Sequence, residues 1–359
     1  MAAKETSIKI RKTFEHSDAH KQLDYLAELE SLKEALKFAR STYEFVSIYD
    51  RIGMAYYRLG RTAEAKENYV LALENISSLS NKEAKEFEWS LNDDLGNVFY
   101  DEGDYANSLF YKIKALRYVD SLQPQDAFLL LLSIGANYEK LEEYDKAIEF
   151  HLKSLEVSDV TNEDKAMIFQ FIGQCYDSKD NRKKAFNYWQ KMFSIDPDYD
   201  AWWYVVFRFA QLAYRFNNYE VSIEYFKNVI TQIPSDQNGY LQSLHQHLGY
   251  NYLAKKEFKS ALVEFNKSLE IKKDSSEIRA EIYCGISQAY FGLNKIRKTI
   301  KFALKALNEQ FNEVVGERIY FLLAYAYSLQ GNEKKEDFYT EKLRKLKPNS
   351  GYLRELMYS

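Results

Sequence analysis

Side chains able to carry metal or acid–base chemistry are few in this chain. It has five histidines and two cysteines. His245 and His247 are the closest histidine pair in the sequence. At i and i+2 on a helix two side chains point about 200° apart, so these imidazoles cannot share one metal ion; one packed and one exposed ring is the expectation. Cys175 and Cys284 lie too far apart in sequence for a metal-binding Cys-x-x-Cys or a disulfide framework, and read as buried thiols. Asp93 and Asp94 are adjacent rather than convergent, a poor geometry for acid–base work. Gly-rich phosphate loops, His-Glu-x-x-His and Gly-x-Ser-x-Gly are absent from the sequence. The expectation is a non-enzyme with no catalytic residues, no metal and no cofactor.

The elements that would position any functional residue are helices. A single compact core of 359 residues would exceed the usual ~250–300 residue limit, whereas a stack of units that pack only on their neighbours escapes it. Four prolines and thirteen glycines are too few for long loops or a β-rich fold. The composition, 46% hydrophobic and 28% charged, is that of a folded, water-exposed protein, and 30 Tyr with 23 Phe supply large packing pieces. A net charge of −4 without a basic arm or stripe argues against nucleic acid as a partner. No stretch approaches the ~18 apolar residues of a membrane span, and the first residues lack the apolar core of a signal peptide, so a cytoplasmic location with no membrane partner is expected.

A fixed offset organises the chain. Gly53, Gly96, Gly135, Gly173, Ala210, Gly249, Ser287 and Ala324 are each followed twelve residues later by Ala65, Ser108, Ala147, Ala185, Ser222, Ala261, Thr299 and Glu336. Between the two positions lie turn segments such as Leu59-Gly60-Arg61, Glu102-Gly103-Asp104 and Gln330-Gly331-Asn332. Gly, Asn and Asp there stop one helix and start the next, so each unit reads as helix, tight turn, helix. Small residues stand where two helices cross most closely. Within helices the apolar spacing follows a 3–4 step, as in Leu131, Ile134 and Tyr138. The fold class expected is all-α, a right-handed α-solenoid of about eight units.

These residues resemble the tetratricopeptide-repeat family, whose motif has small residues at positions 8 and 20, aromatics at 11 and 24, and often Pro at 32. Position 11 is Tyr56, Phe99, Tyr138, Tyr176, Tyr252, Tyr290 and Tyr327, with Ala213 as the exception. Position 24 is Tyr69, Trp189, Phe226 and Phe265 in the better-matching units, and Pro197, Pro234 and Pro348 occupy position 32. The resemblance covers residues 41–348, with 1–40 expected to be an N-terminal tail and capping helix and 349–359 a C-terminal tail; residues 1–16 are expected to fray. First positions recur every 37 to 43 residues against 34 in the standard repeat, so helices or linkers must be longer. Glu336 in a small-residue slot fits a polar terminal cap.

The resemblance implies a concave groove lined by positions 2, 5, 9, 12 and 13 of each first helix. Its candidate partner-binding residues here are Asp50, Tyr57, Asp93, Asn97, Tyr100, Asp101, Gln170, Gln174, Tyr204, Phe207, Gln211, Tyr214, Arg215 and Tyr250. Acidic residues (Asp50, Asp93, Asp101, Glu139, Asp177) gather toward the N-terminal half, and aromatics with Gln and Arg in units five and six. Such a surface suits another protein or an extended peptide with basic and apolar residues. A clamp for the C-terminal carboxylate of chaperone tails is excluded, because Asp93 stands where that clamp needs Lys and Ser133 where it needs Asn. The adjacent Trp202 and Trp203 point about 100° apart on a helix, so one can pack between units while the other faces elsewhere. The expected function is a non-catalytic protein- or peptide-binding scaffold using the groove; the alternative is a sensory or regulatory repeat module of a bacterial signalling protein, Rap-like or kinase-associated.

Overall fold

Eight left-handed residues, one per repeat, set the architecture. Gly60, Gly103, Glu142, Asp180, Asn217, Lys256, Asn294 and Gly331 all have φ between 55° and 81°. In every case the next residue's N–H returns to the carbonyl at position 11, as in Arg61 to Tyr56 O, Glu143 to Tyr138 O and Asn332 to Tyr327 O. This Schellman closure ends the first helix of each pair and turns the chain straight into the second. Only three of the eight residues are glycine, so five side chains accept a conformation that usually costs L-residues about 1–2 kcal/mol.

The computed structural model describes residues 19–196, 200–233, 238–271 and 276–357. Pro197 and Pro234, and the N-terminal segment expected to fray, lie outside them. Among the described residues there are α-helices and one short 3-10 segment, and no strand. The helices are α1 (Ala19–Leu36), then the pairs α2 (Thr42–Arg58) with α3 (Thr62–Ile76), α4 (Asn81–Asp101) with α5 (Tyr105–Ala115), α6 (Pro124–Lys140) with α7 (Tyr144–Ser154), and α8 (Asn162–Ser178) with α9 (Arg182–Ile195). They continue as α10 (Trp203–Arg215) with α11 (Tyr219–Gln232), α12 (Asn238–Ala254) with α13 (Phe258–Glu270), α14 (Ser276–Gly292) with α15 (Ile296–Leu307), α16 (Glu313–Ser328) with α17 (Glu333–Leu346), and α18 (Gly351–Met357). Capping boxes start three first helices: Ser41 with Glu44, Ser80 with Glu83, and Thr161 with Asp164. Pro124 occupies the first turn of α6. The extra repeat length is taken up in both ways the sequence allows: α4 runs to 21 residues, and Leu116–Ser121 forms a 3-10 segment after α5.

The twelve-residue offset is a contact. Ser108 Oγ donates to Gly96 O at 2.6 Å, Ser222 Oγ to Ala210 O at 2.8 Å, and Ser287 Oγ to Thr299 O at 2.9 Å. These hydroxyls satisfy themselves on the partner backbone at the crossing, so a polar side chain serves there as well as alanine. The glycine at position 8 admits the position 24 side chain. A Cβ at Gly53 would stand 2.7 Å from the Tyr69 ring, at Gly173 2.2 Å from Trp189 Nε1, and at Gly249 2.6 Å from Phe265.

The chain divides into two compact units, Met1–Tyr199 and Asp200–Ser359. Each is an α-solenoid of helix pairs in which consecutive helices pack on one another. In the first unit Leu29 and Leu32 of α1 join a core with Val46, Ile52, Tyr69 and Leu91, and a second cluster forms around Phe128, Ile148, Ile168 and Ile172. First helices also touch first helices, α2 with α4, so they form one layer. In the second unit α12 touches α14 and α14 touches α16 in the same way. Its cores gather Phe265, Ile282 and Ile286, then Ile300, Ile319, Leu322 and Leu323. The C-terminal segment carries the helix α18, where Tyr352 stacks on Phe321 at 4.5 Å and Lys347 Nζ donates to Glu317 at 2.8 Å.

Candidate functional site

In the first unit, position 24 changes character at the second and third pairs. Lys112 and His151 stand where Tyr69 and Trp189 stand in the flanking pairs, and both are as deeply buried as those aromatics. Each reaches beneath its glycine to the first-helix layer. Lys112 Nζ donates to Asp93 Oδ1 at 2.7 Å and to Asn97 Oδ1 at 2.8 Å, and Asn97 Nδ2 donates back to Asp93 Oδ2 at 3.2 Å. His151 Nε2 lies 2.7 Å from Glu139 Oε1. Cys175 Sγ donates to the same Glu139 oxygen at 3.6 Å. Sequence reasoning misses Lys112 and His151, because position 24 is recognisable only in the pairs that keep an aromatic there. The signal was two polar residues in an aromatic column.

Beside this lies an under-satisfied acidic cluster. Asp50 Oδ1 and the Tyr69 hydroxyl are both buried without a hydrogen-bond partner. Burial pushes the Asp50 carboxyl up to about 6, against the pull of Arg51. Burial, with Asp93 and Asp50 nearby, holds Asp94 well above the usual carboxylate range, against Lys112 and Arg58. Burial and the charges of Asp94 and Asp50 also raise the Tyr69 hydroxyl. Asp94, the neighbour dismissed in sequence as merely adjacent to Asp93, therefore belongs to the cluster with Asp50. Tyr57 OH donates to the exposed Asp101 at 2.9 Å, and Tyr100 packs edge-on against Tyr105 at 5.3 Å.

Further along the same unit the expectation holds less well. Gln170 is 1% exposed and its backbone carbonyl accepts from Trp189 Nε1, so its side chain is interior. Gln174 is partly exposed, with a buried Nε2 that has no partner. Burial pushes the Cys175 thiol up, and the Glu139 carboxylate adds to the shift.

In the second unit, Phe207 packs edge-on against Phe226 at 5.7 Å, His247 at 5.7 Å and Tyr240 at 6.4 Å. Its ring is a packing piece between helices rather than a free contact. Tyr250 donates its hydroxyl to Glu281 O at 2.9 Å and packs edge-on to Phe265, so it too is engaged between helices. Gln211 lies 3.0 Å from His247 Nε2 and accepts from Arg208 at 2.9 Å. Tyr204 stacks on Trp202 at 5.7 Å, Trp203 meets Tyr240 at 4.8 Å, Tyr214 tilts against Tyr219 at 5.7 Å, and Arg215 is exposed. Both members of the tandem tryptophan thus lie in aromatic packing. His247 is buried against Phe226, which lowers it to about 4, whereas His245 pairs with Glu264 at 2.7 Å. The exposed imidazole expected of that pair is instead held against a neighbouring helix. Cys284 is buried, as expected.

Comparison with known proteins agrees with the repeat. Residues 46–77 match the sequence model of the family described as tetratricopeptide repeat. Those residues thus carry the tetratricopeptide-repeat motif, and the same turn closure recurs at the equivalent position of all eight pairs. Similar solved structures include a tetratricopeptide repeat protein from Parabacteroides merdae, at 16% identity, covering 77% of this chain and 98% of that one with a TM-score of 0.44. The C-terminal part of a repeat-containing protein from Cytophaga hutchinsonii is also similar, at 16% identity, 73% and 98% coverage and a TM-score of 0.48. YrrB, described as a tetratricopeptide-repeat protein with an unusual peptide-binding site, is similar at 18% identity, 58% and 94% coverage and a TM-score of 0.43. No curated protein matches the chain. Among the described residues no helix is long and apolar enough to cross a membrane.

Proposed function

We propose that the chain is a non-catalytic scaffold whose first-helix layers bind a protein or an extended peptide segment, and that in the first unit the bound segment presents a basic side chain. The observation that carries this is the orphaned Asp50 Oδ1 and Tyr69 hydroxyl beside Asp94. Unpaired buried polar atoms cost the fold about 1–3 kcal/mol each, so a cluster of them is a reservoir that a ligand can discharge. A lysine ammonium or arginine guanidinium, donor-only groups, would satisfy both carboxylates and the phenol oxygen together. Asp93 is already occupied by Lys112, which leaves Asp50 and Asp94 to receive the ligand. In the second unit the partly exposed aromatics of the first-helix layer, Tyr204 and Tyr214, suit apolar side chains, with Arg215 at the rim.

The reading is tested on an array of extended peptides, each carrying one central Lys or Arg among apolar residues, with norleucine and citrulline counterparts. Retention of the basic members over their neutral counterparts, lost in Asp50→Asn/Asp94→Asn, supports it. Equal retention of basic and neutral members sinks it.

A further inference from the structure

We infer that Glu139, His151 and Cys175 form a binding site for a zinc-class divalent transition-metal ion in the first unit, separate from the Asp50 and Asp94 cluster. The three side chains come from successive helices α6, α7 and α8, and their donor atoms all lie within 4.8 Å of one another. Glu139 Oε1 is 2.7 Å from His151 Nε2 and 3.6 Å from Cys175 Sγ. Ligands around a tetrahedral zinc at its usual bond lengths stand roughly 3.3–3.8 Å apart, so the Glu139–Cys175 edge already fits, the Glu139–His151 edge must open by about half an ångström, and the His151–Cys175 edge lies within 4.8 Å. Glu139 can supply that opening, since its side chain is 22% exposed while His151 is fully buried.

Packing alone does not account for this trio. The other well-matched pairs fill position 24 with an aromatic side chain, Tyr69, Trp189, Phe226 or Phe265. The imidazole fills the same space, stacked 5.4 Å from Phe171, but leaves its Nδ1 buried without a partner. Gly135 fixes the ring: a Cβ there would lie 2.6 Å from Nδ1, so the imidazole lies flat on the glycine and aims Nε2 at Glu139.

The donor set chooses the ion. One sulfur, one imidazole nitrogen and one carboxylate suit zinc or cobalt and not the all-oxygen preference of magnesium or calcium. Three protein ligands leave the fourth position for water on the exposed side of Glu139. On binding, the thiol proton leaves to solvent and the imidazole proton moves from Nε2 to Nδ1, so one proton is released per ion. A carboxylate, a thiolate and a dication sum to zero charge, the balance a buried site requires.

The test titrates the untagged full-length protein with Co²⁺, reading thiolate-to-cobalt charge transfer in the near-ultraviolet and tetrahedral d–d bands in the visible, then displaces the cobalt with Zn²⁺. One ion per chain is expected, with the charge-transfer band kept in Cys284→Ala and lost in Cys175→Ala. His151→Phe restores an aromatic to the slot; with helicity retained it should weaken binding by more than about 100-fold, beyond the 10–100-fold typical of an outer-shell partner. Wild-type protein without the band, a band that survives Cys175→Ala, or unchanged affinity in a folded His151→Phe overturns the assignment. None of these readouts depends on Asp50 or Asp94, so either proposal can fail alone.

Discussion

The ammonium of Lys112 is held 2.7 Å from Asp93 Oδ1 although its side chain is 1% exposed. A charge so deeply placed persists only because Asp93 and Asn97 both accept from it. Lys112→Met should therefore destabilise by about 2–4 kcal/mol, mostly through the carboxylate left unpaired. Adding Asp93→Asn should recover part of that loss. Urea unfolding of the two single variants and the double variant measures the difference, and additive losses would show that the pair is not a unit.

Gly173→Ala tests the close crossing. The new Cβ would meet Trp189 Nε1 at 2.2 Å and displace the indole from its hydrogen bond to Gln170 O. Alanine is favoured over glycine within a helix by about 1 kcal/mol, but overpacking costs about 1–3 kcal/mol and the lost hydrogen bond adds to it. A net loss of about 1–3 kcal/mol is expected in thermal or urea unfolding. A neutral or stabilised variant would contradict the packing described.

The left-handed turn residues give the opposite sign. Lys256 has φ 60° at the position where Gly60, Gly103 and Gly331 stand in other pairs. Lys256→Gly should stabilise by up to about 1 kcal/mol, because relief of the backbone strain exceeds the entropy that glycine loses on folding. Differential scanning calorimetry of the single variant is sufficient.

Asp50 gives a pH signature. Its folded-state value, about 6, lies above the ordinary 3.8, so its contribution to stability is full below about pH 4 and is lost as pH rises through 6. Arg51, Asp94 and the Tyr69 hydroxyl are the titratable groups around it. Asp50→Asn should match wild type near pH 4 and exceed it by about 1–3 kcal/mol at pH 8. Urea unfolding across that range measures the gap, and a constant difference would contradict it.

The fold was legible because its determinants are local and periodic. Small residues at a fixed offset, turn residues between them and capping boxes such as Ser80 with Glu83 each specify one joint of a helix pair. The site was less legible because facing position within a repeat does not say how deeply a side chain sits. Gln170 and Phe207 share position 5, yet the first is interior and the second is wedged among rings. Asp50 at the same position keeps an orphaned oxygen. The Glu139, His151 and Cys175 trio had no sequence motif, since its members are brought together by three separate helices rather than by spacing on one.

The central claim is that the acidic cluster of the first unit receives a basic group. Its most direct measurement is fluorescence anisotropy of the best-retained array peptide with wild type and Asp50→Asn/Asp94→Asn at low and high salt. The double variant should bind at least about 10-fold more weakly, and only the wild type should weaken strongly as salt rises. Equal affinities with parallel salt dependence would contradict it.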